Sequence, residues 1–472
     1  MDRTPIGAAD KLETWIADSR QDLIDDLMAL ARIPSVSAPQ GGAQPYGEAC
    51  ALVLEKSAEI ARRRGFSPRN HGNRCVTLTL PGRTDRTVGL FCHLDVVAAG
   101  TGWKNDPYVP FLRDGHVFGR GVTDNKGPGV AMLSLLEFLR RERIELDHTI
   151  LLYFGSSEEN GMHDLTWYLA HQAPPELSLT PDAQFSVCNG EKGHLTGTVT
   201  MPRTGNLLSM EGGSAPNAVP DTAWAIVECP LADLRDRLDE TFRVEEVPEG
   251  VMVRTVGLSA HAAFPESGEN AIVKLCRGLL AAGILTSGAA GFLESYVALF
   301  ADCHGSGLGI ACEDEPSGKL TAIGGKLRME QGQLVQTLDI RYPVTAESGK
   351  LISALRNTVS RAGFSADKLT DSPPLYYPPD HPMIKLLNDT CNRVLGLDLK
   401  PYVIGGGTYA RKLPMAVAYG HLLRGRPRPG GSGKGGGHQV DECVSLQGLE
   451  DLMRVYLQAL LRLDKLPLDD WK

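Results

Sequence analysis

TVGLFCHLDVV, residues 87–97, is an apolar run rich in β-branched and aromatic residues, without a helical period, and a histidine and an aspartate stand near its end. It reads as a strand buried on both faces. TILLYFGSSEE (149–159) repeats the character and ends on two glutamates. Between them a turn-rich segment, GRGVTDNKGPG, leads into VAMLSLLEFLRRE (130–142), which predicts a helix. Strand, helix and strand in that order predict a right-handed βαβ unit. The expected class is therefore α/β, with functional groups gathered at the carboxyl ends of the strands. His93, Asp95, Glu158 and Glu159 lie at such ends.

Outward from this centre, residues 10–33 place Leu12, Trp15, Ile16, Leu23, Leu27 and Leu30 at helical spacing and stop at Pro34. From about residue 191 the texture changes to short alternating strands such as HLTGTVTMP, GVMVRTVGLSAH and LVQTLDIRYP, interleaved with helices such as 270–283. After the proline-rich SPPLYYPPDHP (372–382) the earlier pattern returns, with a helix, a strand PMAVAYG, a glycine loop and a closing helix from about 446 to 463. The chain thus divides into a discontinuous domain, 1–190 with 372–472, and an inserted α+β domain, 191–371. A chain of 472 residues is more than one hydrophobic core usually supports.

The formal net charge is −9 and basic residues form no dense block, which argues against a nucleic-acid partner and for a small molecule. No stretch approaches the roughly 20 apolar residues of a membrane span, and the first residues carry no apolar signal core. The ten cysteines form no C-x-x-C pair. They read as reduced thiols, and the expected location is the cytoplasm.

His93 and Asp95 are two apart, so on an extended strand they share a face, as a metal ligand and the carboxylate fixing its tautomer would. A hydrogen-bonded pair at a strand end is the alternative. Asp124, in a glycine-rich loop between strand and helix, reads by itself as a turn or cap residue. Glu158 and Glu159 follow an apolar strand directly, and adjacent carboxylates there must be solvated, paired or bound to a cation. With Asp182 and His438 they make a mixed N and O donor set suited to two zinc-like ions, with Mn²⁺ or Co²⁺ as alternatives. Asp124, with two oxygens, is the candidate bridge.

The combination resembles the di-zinc aminoacylase and carboxypeptidase superfamily, and within it bacterial PepV-like dipeptidases of the carnosinase type. ARIPSVS, HLDVV, GRGVTDNKGP, SSEENGM, TPDAQF with NGEKGH, SAHAAFPESGENA, LDIRYP, GGGTYA and HQVDE occur in the order of that family and span residues 31–442. The resemblance implies a zinc-peptidase-like mixed-sheet catalytic domain with the insert as a lid. It implies that His93 and Asp182 hold one metal, Glu159 and His438 the other, and Asp124 both. Glu158 matches the general base that deprotonates a metal-bridging water, and Asp95 the carboxylate clamping His93. His261 matches a lid histidine stabilising the oxyanion, and Asn217 and Arg341 match lid residues holding the substrate. Gly407 and Thr408 resemble the segment receiving its carboxylate. Two divalent ions, zinc foremost, and a dipeptide with free termini are the implied cofactor and substrate. A monomer is implied, with a homodimer as the alternative.

GGSGKGGGHQVDE (430–442) contains the spacing G-x-G-x-x-G at Gly431, Gly433 and Gly436. A dinucleotide cradle needs that spacing between a strand and the helix it opens. Here the preceding strand ends at Gly420 and the next helix begins about eight residues after His438, so the nucleotide reading fails and His438 is the informative residue. An N-acyl-amino-acid deacylase of the same superfamily shares every ligand and remains an alternative, as does a non-catalytic binding homologue. His71, His116, His148, His163, His171, His304, His381 and His421 read as surface or hydrogen-bonded residues. Residues 304–320 carry no motif.

Overall fold

The computed structural model describes residues 7–466 apart from 424, 427 and 432. The chain forms two compact units. The first takes residues up to Asn189, Tyr377–Tyr402 and everything from Gly407 onward; the second takes Gly190–Tyr376 and Val403–Gly406.

A mixed sheet organises the first unit. Thr87–His93 pairs in parallel with Thr149–Gly155 on one side and Leu177–Thr180 on the other, and Ala416–Ala418 continues the parallel set. Cys75–Leu80 runs antiparallel to Thr149–Gly155. The helix Gly127–Arg141 joins two of the parallel strands, which completes the expected βαβ unit and bears out the α/β class. Every residue of this helix from Gly127 to Leu139 is buried. Apolar residues on all its sides are what a helix enclosed in a core requires, and truncating one such as Leu136 to Ala would cost ~2–5 kcal/mol. The helix Ala8–Ala31 buries one stripe containing Leu12, Ile16, Leu23, Leu27 and Leu30, whereas Leu446–Leu463 is buried on most of its circumference, leaving Gln447, Arg454, Gln458 and Arg462 outside the core.

Two strands end sooner than the segments 87–97 and 149–159 suggest. The first stops at His93, after which Val96 N donates to Ser35 O (3.0 Å) and Ser35 Oγ to Leu94 O (2.6 Å). This is the contribution of the ARIPSVS motif. The second stops at Gly155, where the amides of Ser156 and Ser157 turn to the carboxylate of Asp164. Main-chain groups satisfied by side chains have no need of a strand partner. Both exits therefore become turns, and the polar residues of the motifs sit on them.

The second unit is an antiparallel sheet ordered Phe242–Val247, Gly250–Val256, Thr222–Val227, Leu207–Gly212, Leu327–Glu330, Gln333–Tyr342, Gly193–Pro202, Ser365–Ser372. Ala271–Ala282, Ser287–Phe300 and Ser348–Arg361 supply the helices of its core. Gly193–Pro202 and Gln333–Tyr342 pair along their whole length, with His194 opposite Arg341. The segment 304–320 buries Leu308, Ile310 and Leu320 in this core, which gives it a packing role. No helix among the described residues is long and apolar enough to cross a membrane.

Candidate metal centre

His93 is the last residue of its strand and almost fully buried. Its Nδ1 donates to the main-chain O of Asp95 (3.0 Å), with Asp95 Oδ1 at 3.6 Å. A carbonyl oxygen only accepts, so Nδ1 carries the proton and Nε2 faces the site. Nε2 lies 3.0 Å from Asp124 Oδ1 and 3.4 Å from Asp182 Oδ2. The other oxygen of Asp124 is 3.1 Å from His438 Nε2, which in turn is 2.8 Å from Glu159 Oε1. Asp124 thus stands between two imidazoles. Two groupings bring their donor atoms within 4.8 Å of one another, His93 with Asp124 and Glu159, and His93 with Glu158 and Asp182.

The remaining candidates fall elsewhere. His261 and Asn217 lie side by side in the second unit, where Ala262 N donates to Asn217 O (3.0 Å) and Ala263 N to His261 Nδ1 (3.2 Å). Arg341, also there, directs Nε to Asp339 Oδ1 (3.0 Å) and Nη1 to Gly405 O (2.7 Å). Asp339 Oδ2 is 3.1 Å from His194 Nε2. Thr408, in the first unit, caps the short turn Tyr409–Lys412, its Oγ1 accepting from Ala410 N (3.2 Å). Gly407 packs so close to Arg411 that a Cβ would come within 2.8 Å of its Nε.

The profile of peptidase family M20/M25/M40 matches residues 89–462, the stretch that holds every one of these groups. The chain belongs to this peptidase family. It is 33% identical to the Bacillus subtilis protein named "Putative dipeptidase YtjP", over 96% of this chain and 99% of that one. The di-peptidase Dug1p of Saccharomyces cerevisiae shares its fold at TM-score 0.60 and 14% identity, over 99% of this chain and 100% of that one. Human carnosine dipeptidase 1 does so at 0.55 and 17%, over 97% and 99%. These findings bear out the resemblance read from the motifs, and with it a metallohydrolase acting on dipeptides.

As an M20 centre the cluster has electrostatics that call for cations. Burial raises the Glu158 carboxyl well above its usual range; His93 opposes this and Glu159 adds to it. Burial also raises Asp182, and lifts Glu159 to about 7. For Asp124 burial is outweighed by hydrogen bonds from His438 and His93, which hold it far below the usual carboxylate range. Burial disfavours the imidazolium of both histidines, yet Asp124 and Asp182 raise His93 well above its usual range, and Asp124 with Glu159 raises the half-exposed His438 to about 11. Protons or divalent cations must therefore supply the positive charge, and imidazole nitrogen with carboxylate oxygen is the donor set of Zn²⁺, Mn²⁺ or Co²⁺.

Other side chains hold the main chain beneath these groups. Asp95 Oδ1 accepts from Glu158 N (3.1 Å) and Oδ2 from Glu159 N (3.0 Å). Asp164 Oδ2 accepts from Ser156 N (2.7 Å), Ser157 N (3.1 Å) and the hydroxyl of Tyr409. Asn125 donates to Pro181 O (2.9 Å) and Asp182 Oδ1 (3.2 Å). Asp164, Tyr409 and Asn125 have no distinguishing signal in sequence beyond their places in SSEENGMHD, GGGTYA and TDNKGP.

Proposed function

We propose that this M20 chain hydrolyses dipeptides with a free N-terminus and a C-terminal carboxylate, using two divalent cations, zinc foremost. His93 and Asp182 would hold one, Glu159 and His438 the other, and Asp124 both. The observation carrying the reading is the placement of Asp124, one oxygen 3.0 Å from His93 Nε2 and the other 3.1 Å from His438 Nε2. Cations bound there would polarise the scissile carbonyl and acidify water.

The protein's own residues supply the proton transfers. Glu158, a buried carboxyl held well above its usual range, takes the proton of the attacking water and returns it to the leaving amine. Asp95 keeps Glu158 in place through its amide. The reading assigns His261 to the developing oxyanion and Asn217 and Arg341 to the ends of the substrate, with Gly407 and Thr408 toward its carboxylate. A guanidinium aligned by Asp339 supports this for Arg341, since Arg reads a carboxylate with paired donors. All ten cysteines are free, which supports a reducing compartment, the cytoplasm, and we take the monomer as the working unit.

Assaying the zinc-loaded protein on free dipeptides and on N-acetylated amino acids tests the substrate class. Hydrolysis of dipeptides is expected, and turnover of only the acetylated compounds would make the protein a deacylase. Glu158→Gln is expected to lower kcat by about 10²–10⁴ with metal content unchanged, and normal turnover would remove Glu158 from its role.

A further inference from the structure

HQVDE contributes a second residue besides His438. Glu442, four positions on, is fully buried, and both oxygens of its carboxylate are taken by donors from the loop carrying Asp124. Oε1 accepts from Thr123 N (2.9 Å) and Asp124 N (3.2 Å), while Oε2 accepts from Gly121 N (3.0 Å) and Arg120 Nη1 (2.6 Å). Its main-chain O accepts from Gly119 N (3.0 Å), and the strand Cys443–Ser445 then pairs with His116–Phe118. Arg120 is itself fixed, with its guanidinium 5.0 Å from the Trp103 ring.

We propose that Glu442 is a positioning residue that sets Asp124 against His438. The inference rests on the metal reading above. One side chain ties together two segments, the one ending in Asp124 and the one led by His438, that are 318 residues apart at the Asp124 amide contact. Three residues separate His438 from Glu442, so an anchor at Glu442 keeps His438 within about 14 Å even at full extension of that stretch. All four partners of the carboxylate are donors. An amide in its place would set an N–H against an N–H or against the guanidinium, and a shorter carboxylate could not reach both Arg120 and the Asp124 amide. The hydrogen-bond partners of the Glu442 carboxylate, Arg120, Gly121, Thr123 and Asp124, are not among the groups assigned to the substrate.

A buried ion pair can also be plain scaffolding, so the test needs a control of that kind. Glu137, buried with Oε2 2.6 Å from Arg64 Nη1, provides one in the same unit and outside the cluster. Wild type, Glu442→Gln, Glu442→Asp and Glu137→Gln would be stripped of metal, checked for folding by circular dichroism, and titrated with Co²⁺ against a chelator while the d–d absorption is followed. Losses of about 10–100-fold in Co²⁺ affinity are usual when a group orienting ligands is removed. Glu442→Gln is expected to lose affinity to that extent with an altered band shape, and excess metal is expected to restore part of its kcat at nearly unchanged KM. Glu442→Asp, which keeps the charge, should fall between it and wild type, and carries the test if the Gln variant does not fold. Glu137→Gln should melt lower yet bind Co²⁺ normally. Wild-type affinity and spectra in both Glu442 variants would overturn the positioning role alone. A wild type that takes up no Co²⁺ would overturn the metal reading and this inference with it.

Discussion

The amide of Glu158 donates to Asp95 Oδ1 at 3.1 Å across 63 residues of chain, and the next amide, that of Glu159, donates to Asp95 Oδ2. One carboxylate at a strand exit therefore holds the main chain of the proposed base and of a proposed metal ligand together. Asp95→Ala removes the acceptor and leaves the buried Glu158 amide unpaired, at a cost of ~1–3 kcal/mol. A misplaced base should lower kcat about 10²-fold with a smaller change in KM. Steady-state kinetics beside urea melts would check both, and an unchanged kcat would separate Asp95 from Glu158.

Cation binding should expel protons. His93 is raised well above the ordinary imidazole value and His438 to about 11, and the proposed coordination requires both neutral. Zinc and protons compete for the same nitrogens, so apparent affinity should rise with pH through neutrality. Calorimetric titration of the metal-free protein in buffers of different ionisation enthalpy should give buffer-dependent heats. Buffer-independent heats would mean that the histidines are neutral before zinc arrives.

Gly437 is expected to tolerate no side chain. A Cβ there would meet Asp124 Oδ2 at 2.7 Å, and Asp124 is already placed between two histidines. Gly437→Ala should weaken zinc binding about 10-fold, the low end for a disturbed ligand environment. Gly433, with φ at 76° and nothing within 4 Å, is the control. Its Ala variant should cost about 1 kcal/mol in backbone strain and leave zinc affinity alone. Equal affinities in the two variants would contradict the steric account.

In the second unit, burial pushes Asp339 upward, but His194 and Arg341 prevail and lower its pKa. The native carboxyl thus binds protons more weakly than the unfolded one. It contributes stability above the ordinary carboxylate pKa of about 4, and the contribution is lost as pH falls through the lowered native value. Asp339→Asn should flatten the acid side of the stability profile and raise KM for dipeptides, because Arg341 loses its aligning partner. Denaturant melts from neutral pH into the acid range would show it, and parallel profiles would refute it.

Much of the centre was legible because its cues are local. The apolar runs within 87–97 and 149–155 announce strands by composition, and the segment between them announces a helix by period. The glycine loop misled only where spacing was taken without context, since the glycine nearest the chemistry, Gly437, serves a close approach to Asp124. The strand ends were not legible. Ser35 captures Leu94 O from 59 residues away and Asp164 reaches back eight residues to Ser156 N, and neither capture leaves a mark in the hydrophobic pattern.

Sequence by itself determined the α/β class, the peptidase family and the residue types of the centre, because hydrophobic pattern and motif order are written along the chain. Only the tertiary structure decided which oxygen of Asp124 faces which histidine, and that Asp164, Asn125 and Glu442 brace the loops beneath. Those residues act through several hydrogen bonds each, Asn125 and Glu442 to segments far along the chain and Asp164 to Ser156, Ser157 and Tyr409. Such bonds depend on proximity in space, which leaves no period or spacing in the sequence to read.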